Sequence, residues 1–164
     1  MTTRTTDFWK LFKPVHCNIK LEASTKEGVL EELVDTLVKS NALDEPMAPA
    51  ALKALTDRER TASTGIGMNV AIPHVKIVGL QRVVASLSRH PDGVEWSALD
   101  GEPVQLFFTV LRPAEPTTDY DPDRHLAMMG WISRLCRDAD FRRFAIRAKT
   151  RKELVDLLKE MAGL

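Results

Sequence analysis

The apolar residues of the chain recur with two periods, one typical of helices and the other typical of strands. Helical spacing predicts a short turn at residues 7–12 and five helices after it. Ser24 and Thr150 each stand three residues before a glutamate, a capping-box pattern that predicts the starts of the first and last helices. Asp121-Pro122 predicts the start of the third helix, as N-cap and first helical residue. The predicted helices cover 24–40, 47–58, a stretch beginning at 121, 138–148 and a stretch beginning at 150.

Strand-like patterns lie between these predicted helices. Residues 15–21 alternate weakly and predict a first strand, and residues 70–72 predict a short buried one. Residues 82–89 alternate between apolar and polar positions. Residues 104–111 form the most apolar run of the chain, and its β-branched and aromatic residues favour a central strand. The remaining features are a short edge segment at 94–96 and turns at Gly79, 91–93 and 100–103.

The order of these elements predicts the fold class. Strands and helices alternate early in the chain, and helices end it, which indicates an α/β fold with helices sandwiching a sheet. Some turns are too tight for helical crossovers, so the sheet is expected to be mixed, with parallel and antiparallel pairs. We expect Leu126 of the third helix and Phe144 of the fourth to pack inward. The length predicts a single domain spanning residues 1–164, with no internal repeat or linker.

The composition narrows the class of protein. Of the 164 residues, 44% are hydrophobic and 28% are charged, as in an ordinary globular protein. Lysine plus arginine equals 23 and aspartate plus glutamate equals 23, and this zero formal charge argues against a nucleic-acid partner. No apolar run approaches the roughly 20 residues needed to span a bilayer, so we expect no direct membrane insertion.

The N-terminal segment and the cysteines indicate the cytoplasm as the compartment. Residues 1–6 are polar and expected to be frayed, and residues 1–13 lack the apolar core of a signal peptide. Cys17 and Cys136 show no CxxC spacing. Cys136 lies on an apolar helical face and is expected to be a buried free thiol, with a disulfide to Cys17 as the alternative.

The most distinctive stretch of the sequence is Ser63-Thr64-Gly65-Ile66-Gly67-Met68-Asn69-Val70-Ala71-Ile72-Pro73-His74. Its two glycines allow the loop to adopt positive φ or to lie close to another group. Because Pro73 favours a strand end, His74 is expected to emerge from one, with its imidazole held by a stiff backbone. Such a histidine suits a nucleophile that carries a charged group, although it could simply end a core strand. His16 is expected to be structural or at the surface, and His90 to lie at the surface.

With these residues the chain resembles a known family, the type 2 enzyme IIA domain (fructose, mannitol and nitrogen-regulatory) of the bacterial phosphoenolpyruvate:sugar phosphotransferase system. The resemblance covers about residues 8–161 and implies a mixed, about five-stranded sheet with helices on both faces. The motifs that carry it are Arg58-Glu59, Ser63-Thr64-Gly65-Ile66-Gly67, Ala71-Ile72-Pro73-His74, and His125-Leu126 opening a helix that continues through Arg134-Leu135 to Arg137-Asp138.

The resemblance also implies a chemistry and its residues. In this family the histidine after Ile/Val-Pro accepts a phosphoryl group from a histidine-containing phosphocarrier protein (HPr-like) and passes it to a cysteine on a IIB domain. His74 matches that position, and Arg58 and His125 match its two catalytic partners. A guanidinium can bind phosphoryl oxygens bidentately, and a histidine at a helix start can hydrogen-bond them. Ser63 and Thr64 are expected to orient His74 or to donate to the phosphoryl group. The resemblance implies no metal and no cofactor.

Two functions remain open. The first is a phosphocarrier enzyme, which serves either sugar uptake or regulation by its phosphorylation state. The sequence carries no IIB cysteine domain, fused carrier domain or membrane segment, which favours the regulatory fate. The alternative is a binding module that kept the fold and docks to a regulator or transporter. Its support is Asn69 and Val75, where the family often has glycine; β-branched Val75 is expected to restrict the backbone after His74.

Overall fold

The computed structural model describes residues 5–164, with side chains described from Asp7 onward. Residues 1–4, part of the segment expected to be frayed, lie outside the described residues. Within the described range the α-helices are α1 (Lys26–Lys39), α2 (Ala48–Thr61), α3 (Pro122–Arg137), α4 (Ala139–Arg147) and α5 (Arg151–Glu160). The strands are β1 (Gly65–Gly67), β2 (Val70–Ala71), β3 (His74–Ile77), β4 (Val84–Val94) and β5 (Val104–Pro113). Short 3₁₀ helices cover Thr5–Leu11, Pro14–His16 and Glu45–Met47.

Four of the five α-helices in the described range, all except α2, begin at a residue whose side chain caps the helix, though not always at the predicted residue. Thr25 rather than Ser24 caps α1, because its hydroxyl accepts from the Gly28 amide at 3.1 Å. Asp121 caps α3 and Thr150 caps α5, as expected. None of the helices in the described range is long and apolar enough to cross a membrane.

The sheet is built around β5. β2 and β3 lie one after the other along one side of β5, both parallel to it, and β4 pairs antiparallel with its other side. β1 folds back antiparallel on β2. β2 and β3 therefore form one line that is interrupted at Ile72-Pro73. The mixed sheet that the sequence predicts is confirmed.

Two segments differ from the predicted strands. The expected strand at 15–21 is wrong: it holds a 3₁₀ helix that begins at Pro14, followed by irregular chain. This irregular segment contacts β4 through a few hydrogen bonds. Among them, the Arg89 amide donates to the Asn18 carbonyl at 2.8 Å and the Leu21 amide donates to the Arg89 carbonyl at 3.0 Å. Conversely, β3 continues beyond His74, where no strand was predicted. It is only four residues long, so its alternation of exposed His74 and Lys76 with the less exposed Val75 and Ile77 is too short to stand out in the sequence.

Each face of the sheet carries its own apolar core. One core holds Phe12, Phe108 and Trp131 beneath α3, α4 and α5, and the other holds Trp96 and Phe107 beneath α1 and α2. Burial of such large side chains is the main stabilising term of a fold like this. Helices on both faces of the sheet were predicted and are confirmed. The expectation for Leu126 and Phe144 is wrong, because both side chains are largely exposed.

The two cysteines are buried and free. Burial raises the pKa of the Cys17 thiol to about 11 and that of Cys136 to about 12. Both thiols therefore stay protonated near neutral pH, and the disulfide alternative is wrong.

Candidate functional site: a cationic cleft around His74

His74 lies at the interruption between β2 and β3. It is the first residue of β3 and pairs in register with Val110 of β5. The preceding Pro73 has no amide hydrogen, but its carbonyl accepts from the Val110 amide at 2.9 Å. The backbone is thus fixed to the central strand on both sides of the histidine, whose side chain is exposed.

The imidazole of His74 is oriented by the backbone two residues earlier. Its Nδ1 lies 2.6 Å from the carbonyl oxygen of Ile72. A carbonyl oxygen only accepts hydrogen bonds, so Nδ1 carries the hydrogen. In the neutral ring the lone pair is then on Nε2, which is the nitrogen available to act as a nucleophile.

An open cleft with a volume of about 360 Å³ surrounds this histidine. Its lining includes two imidazoles and three cationic side chains, and no carboxylate among the described residues lines it. The cleft wraps around the β3 edge of the sheet, with α2 on one side and α3 on the other. The lining residues are Ala54, Arg58, His74, Val75, Lys76, Val110, Arg112 and His125.

Arg58 reaches the cleft from the last turn of α2. Its Nη1 donates to the Ala62 carbonyl oxygen at 2.6 Å, which holds the guanidinium at the helix end. The other N–H groups of the guanidinium form no hydrogen bond with a described residue. The neighbouring Glu59 points inward and is buried. It accepts from Lys26 Nζ at 3.0 Å and from the amide and hydroxyl of Thr64.

Ser63 and Thr64 do not line the cleft. The Ser63 hydroxyl donates to the Trp96 carbonyl oxygen at 2.7 Å and accepts from the Gly65 amide at 3.0 Å. The Thr64 hydroxyl donates to Glu59 and accepts from the Trp96 indole N–H at 3.2 Å. Instead, the Thr64 carbonyl accepts from the Ile72 amide at 3.0 Å, so the loop supports the residue whose own carbonyl orients His74.

His125 lies in the first turn of α3 and faces the cleft from the side opposite α2. It also lines a neighbouring cavity of about 290 Å³. Burial lowers the pKa of His125, and the charges of Arg112 and His74 lower it further. Its imidazole is therefore neutral near pH 7 and can donate one N–H.

Two cleft residues, Lys76 and Arg112, carry no sequence motif. Lys76 stands opposite Arg112 in the β3–β5 register, two pairs beyond His74 and Val110. Because side chains alternate along strands, all four project from the same face of the sheet. The only sequence signal for Arg112 is a charge at the end of the most apolar strand.

The structure accommodates the two positions where glycine was expected. Met68 and Asn69 form the β1–β2 turn with φ of 58° and 66°, a left-handed conformation that asparagine tolerates well. The Asn69 side chain also donates to the Pro103 carbonyl at 2.8 Å. Val75 lies within β3, where β-branched residues are favoured.

His90 occupies a different place from the one expected, because it is buried rather than at the surface. Its Nδ1 accepts from the amides of Asp92 and Gly93, so Nε2 carries the hydrogen and donates to the Ala23 carbonyl at 2.9 Å. His90 thus holds the bulge of β4. Within the described part of the chain, no group of three or more histidine, cysteine or acidic residues could hold a metal ion.

Comparison with known proteins identifies the family. The family model described as "Phosphoenolpyruvate-dependent sugar phosphotransferase system, EIIA 2" matches residues 10–161. The chain therefore belongs to the type 2 EIIA family, and the resemblance inferred from its motifs is confirmed.

The relatives include both sugar-specific and regulatory proteins. The chain is 33% identical over 138 residues to the "PTS system fructose-specific EIIA component" of Haloferax volcanii, covering 84% of this chain and 85% of the relative. It is 28% identical over 152 residues to the "Nitrogen regulatory protein" of Pseudomonas aeruginosa, covering 93% and 94%. Among solved structures, nitrogen regulatory protein IIA-Ntr of Neisseria meningitidis matches with a TM-score of 0.76 at 25% identity, covering 92% and 97%. The family membership is thus shared by proteins with two different roles.

Proposed function

We propose that the protein is a phosphocarrier, a phosphotransferase in which Nε2 of His74 accepts a phosphoryl group and later donates it. The observation that carries the proposal is the orientation of His74. Its Nδ1–H is held by the Ile72 carbonyl, and its ring opens into a cleft lined by cations. An unprotonated imidazole nitrogen is a good nucleophile near pH 7, and a phosphorylated one is a good leaving group.

The transfer needs no metal and no added proton. The Nε2 lone pair attacks the phosphorus of a phosphohistidine on the donor, an N–P bond forms on His74, and the donor's N–P bond breaks with its electron pair returning to the donor imidazole. Such transfers depend mainly on in-line positioning and charge stabilisation. Arg58 binds the equatorial oxygens, and His125 donates its N–H to them. Ser63 and Thr64 act through the backbone that positions His74, which fits their engagement within the loop.

The donor in this proposal is a histidine-containing phosphocarrier protein (HPr-like) in the cytoplasm. The phosphoryl group then passes to a IIB cysteine, or its presence on His74 signals to a regulatory target. We favour the signalling role because several relatives, including the Pseudomonas and Neisseria proteins, are nitrogen regulatory proteins. The fructose-specific relative keeps sugar transfer as the second candidate.

Phosphorylation with purified components tests the proposal. The protein is mixed with phosphoenolpyruvate, enzyme I and the carrier, and its intact mass is measured at mildly alkaline pH. Wild type and His125→Gln should gain one acid-labile phosphoryl group, the latter more slowly, and His74→Gln should gain none. Thermal unfolding confirms that each variant is folded. A label that persists on His74→Gln would contradict the site, and a folded wild type that stays unlabelled by a matched carrier would favour the binding module.

Addition of a IIB domain then separates the two roles. Rapid loss of the label to a IIB cysteine supports sugar transfer. A label that persists in the presence of the IIB domains of the same genome supports signalling.

A further inference from the structure

We propose that Arg112 is a second phosphate-binding guanidinium of the cleft and that, through it, the unphosphorylated protein binds inorganic phosphate at His74. The part that concerns phosphoryl transfer rests on the proposed function, whereas the binding of the free ion does not. The observation behind the proposal is the strand register that places Arg112 beside the nucleophile.

The register brings two cations to the same side of His74. His74 pairs with Val110 and Lys76 with Arg112, and all four project from one face of the sheet. With strands about 4.8 Å apart and alternate residues about 6.6 Å apart, the Cα of Arg112 lies about 8 Å from that of His74. A long arginine side chain can reach a group bound to the imidazole over that distance.

No described side chain neutralises the three cations of the cleft. Arg58, Lys76 and Arg112 form no salt bridge with any residue in the range 7–164, and no described carboxylate lines the cleft. Like charges directly opposite each other on neighbouring strands are unfavourable. The arrangement is relieved when an anion lies between them, and a phosphate dianion carries the required charge.

Arg112 is held in place, but most of its N–H groups have no partner among the described residues. Its Nη1 donates to the Pro113 carbonyl at 3.2 Å, one of the five N–H groups that a guanidinium offers. Its charge also contributes to the lowered pKa of His125, which fits a guanidinium that faces the cleft. Arg58 from α2 and Arg112 from β5 thus approach the space around His74 from two different elements.

A titration with inorganic phosphate tests the binding without any transfer. The imidazole NMR signals of His74 and His125 are followed in wild type, Arg112→Gln, Arg112→Lys and Arg82→Gln at constant ionic strength, since screening alone shifts such signals. Arg82 is the matched control because it lines the neighbouring cavity with His125 but not the cleft. We expect saturable shifts in wild type and Arg82→Gln, about tenfold weaker binding in Arg112→Gln, and intermediate binding in Arg112→Lys.

The outcomes separate this proposal from the proposed function. Equal phosphate affinity in wild type and Arg112→Gln, or an equal loss in Arg82→Gln, overturns it even if His74 is phosphorylated. Conversely, Arg112-dependent phosphate binding supports it even if no carrier phosphorylates the protein. If the label does form, Arg112→Gln should lose it by hydrolysis at a different rate from wild type, and a hydrolysis rate unchanged from wild type would overturn the role in holding the transferred group.

Discussion

Arg58 and Glu59 are neighbours in the last turn of α2, yet their charges have opposite environments. Glu59 is buried, and its carboxylate is matched by Lys26 Nζ and by the amide and hydroxyl of Thr64. Arg58 faces an open cleft in which the other charged lining groups are also cations. A buried charge requires partners within the protein, because its desolvation is costly. An unmatched cluster of cations at the surface is available to an external anion.

The comparison predicts its largest effect for Glu59→Ala, measured as the free energy of unfolding in urea. The substitution leaves Lys26 Nζ and the Thr64 amide without their partner beneath the loop. We expect a loss of about 3 kcal/mol, because removing one member of a buried pair leaves the other uncompensated. Asp57→Ala is the matched control on the same helix, since Asp57 pairs only with exposed cations and should unfold close to wild type. Equal losses in both variants would contradict the distinction.

Arg58→Ala should have the opposite effect to Glu59→Ala, with little loss of stability and a large loss of phosphoryl-transfer rate. We expect its unfolding free energy to change by less than about 1 kcal/mol, because the lost bond to the Ala62 carbonyl lies at an exposed helix end. The rate of phosphoryl transfer to His74 should fall by about 100-fold, as is typical when a donor that stabilises developing charge is removed. Quench-flow labelling measures the rate. A large loss of stability with little loss of rate would place Arg58 with Glu59 as a structural residue.

Lowering the pH should destabilise the folded protein through protonation of His125 in the cleft. Burial lowers its pKa in the folded protein, with help from the charges of Arg112 and His74. As the pH falls, His125 is therefore protonated in the unfolded chain before it is protonated in the folded protein. Its contribution to the free energy of unfolding is complete above about pH 6.5 and decreases below that pH. His125→Gln should lose less stability than wild type between pH 7.5 and 5.5. His16, whose pKa is also lowered by burial, titrates in both proteins and so does not affect the difference.

The pKa of His125 itself can also be measured. An NMR titration of Arg112→Gln should give His125 a higher pKa than in wild type, because one neighbouring charge is gone. An unchanged His125 pKa would show that the guanidinium faces away from it.

Local patterns predicted most of the fold. The apolar run of β5, the cap at Asp121 and the helical spacing were readable because each depends on residues close in sequence. The error at 15–21 arose because weak alternation there competes with the start of a 3₁₀ helix at Pro14. β3 was missed because it is only four residues long, and it exists by pairing with a strand about 36 residues away.

The site residues also divide into those predicted from local motifs and those placed by contacts between distant parts of the chain. His74, Arg58 and His125 were predicted from motifs, and the structure brings them together in one cleft, although their catalytic roles stay predictions. Arg112 and Lys76 could not be predicted, because only the β3–β5 register places them beside His74. Ser63 and Thr64 were found by motif, but which groups their hydroxyls contact depends on Trp96, over 30 residues later.

The smallest predicted effect concerns two interior hydroxyls that, unlike that of Thr64, have no partner among the described residues. Ser86 and Thr109 are buried, stand opposite each other on β4 and β5, and form no hydrogen bond with a described residue. Replacing such groups by apolar ones of similar shape removes a desolvation cost. Ser86→Ala with Thr109→Val should therefore stabilise the protein by up to about 1 kcal/mol in urea unfolding.

Thr64→Val supplies the contrast for that experiment. It has the same change of shape as Thr109→Val, but it removes bonds to Glu59 and to the Trp96 indole. We expect it to destabilise the protein by about 2 kcal/mol. If Thr109→Val were as destabilising as Thr64→Val, the Thr109 hydroxyl would have a partner in solution. The rule drawn from Glu59, that the protein matches its own interior polar groups, would then hold at this position of β5 as well.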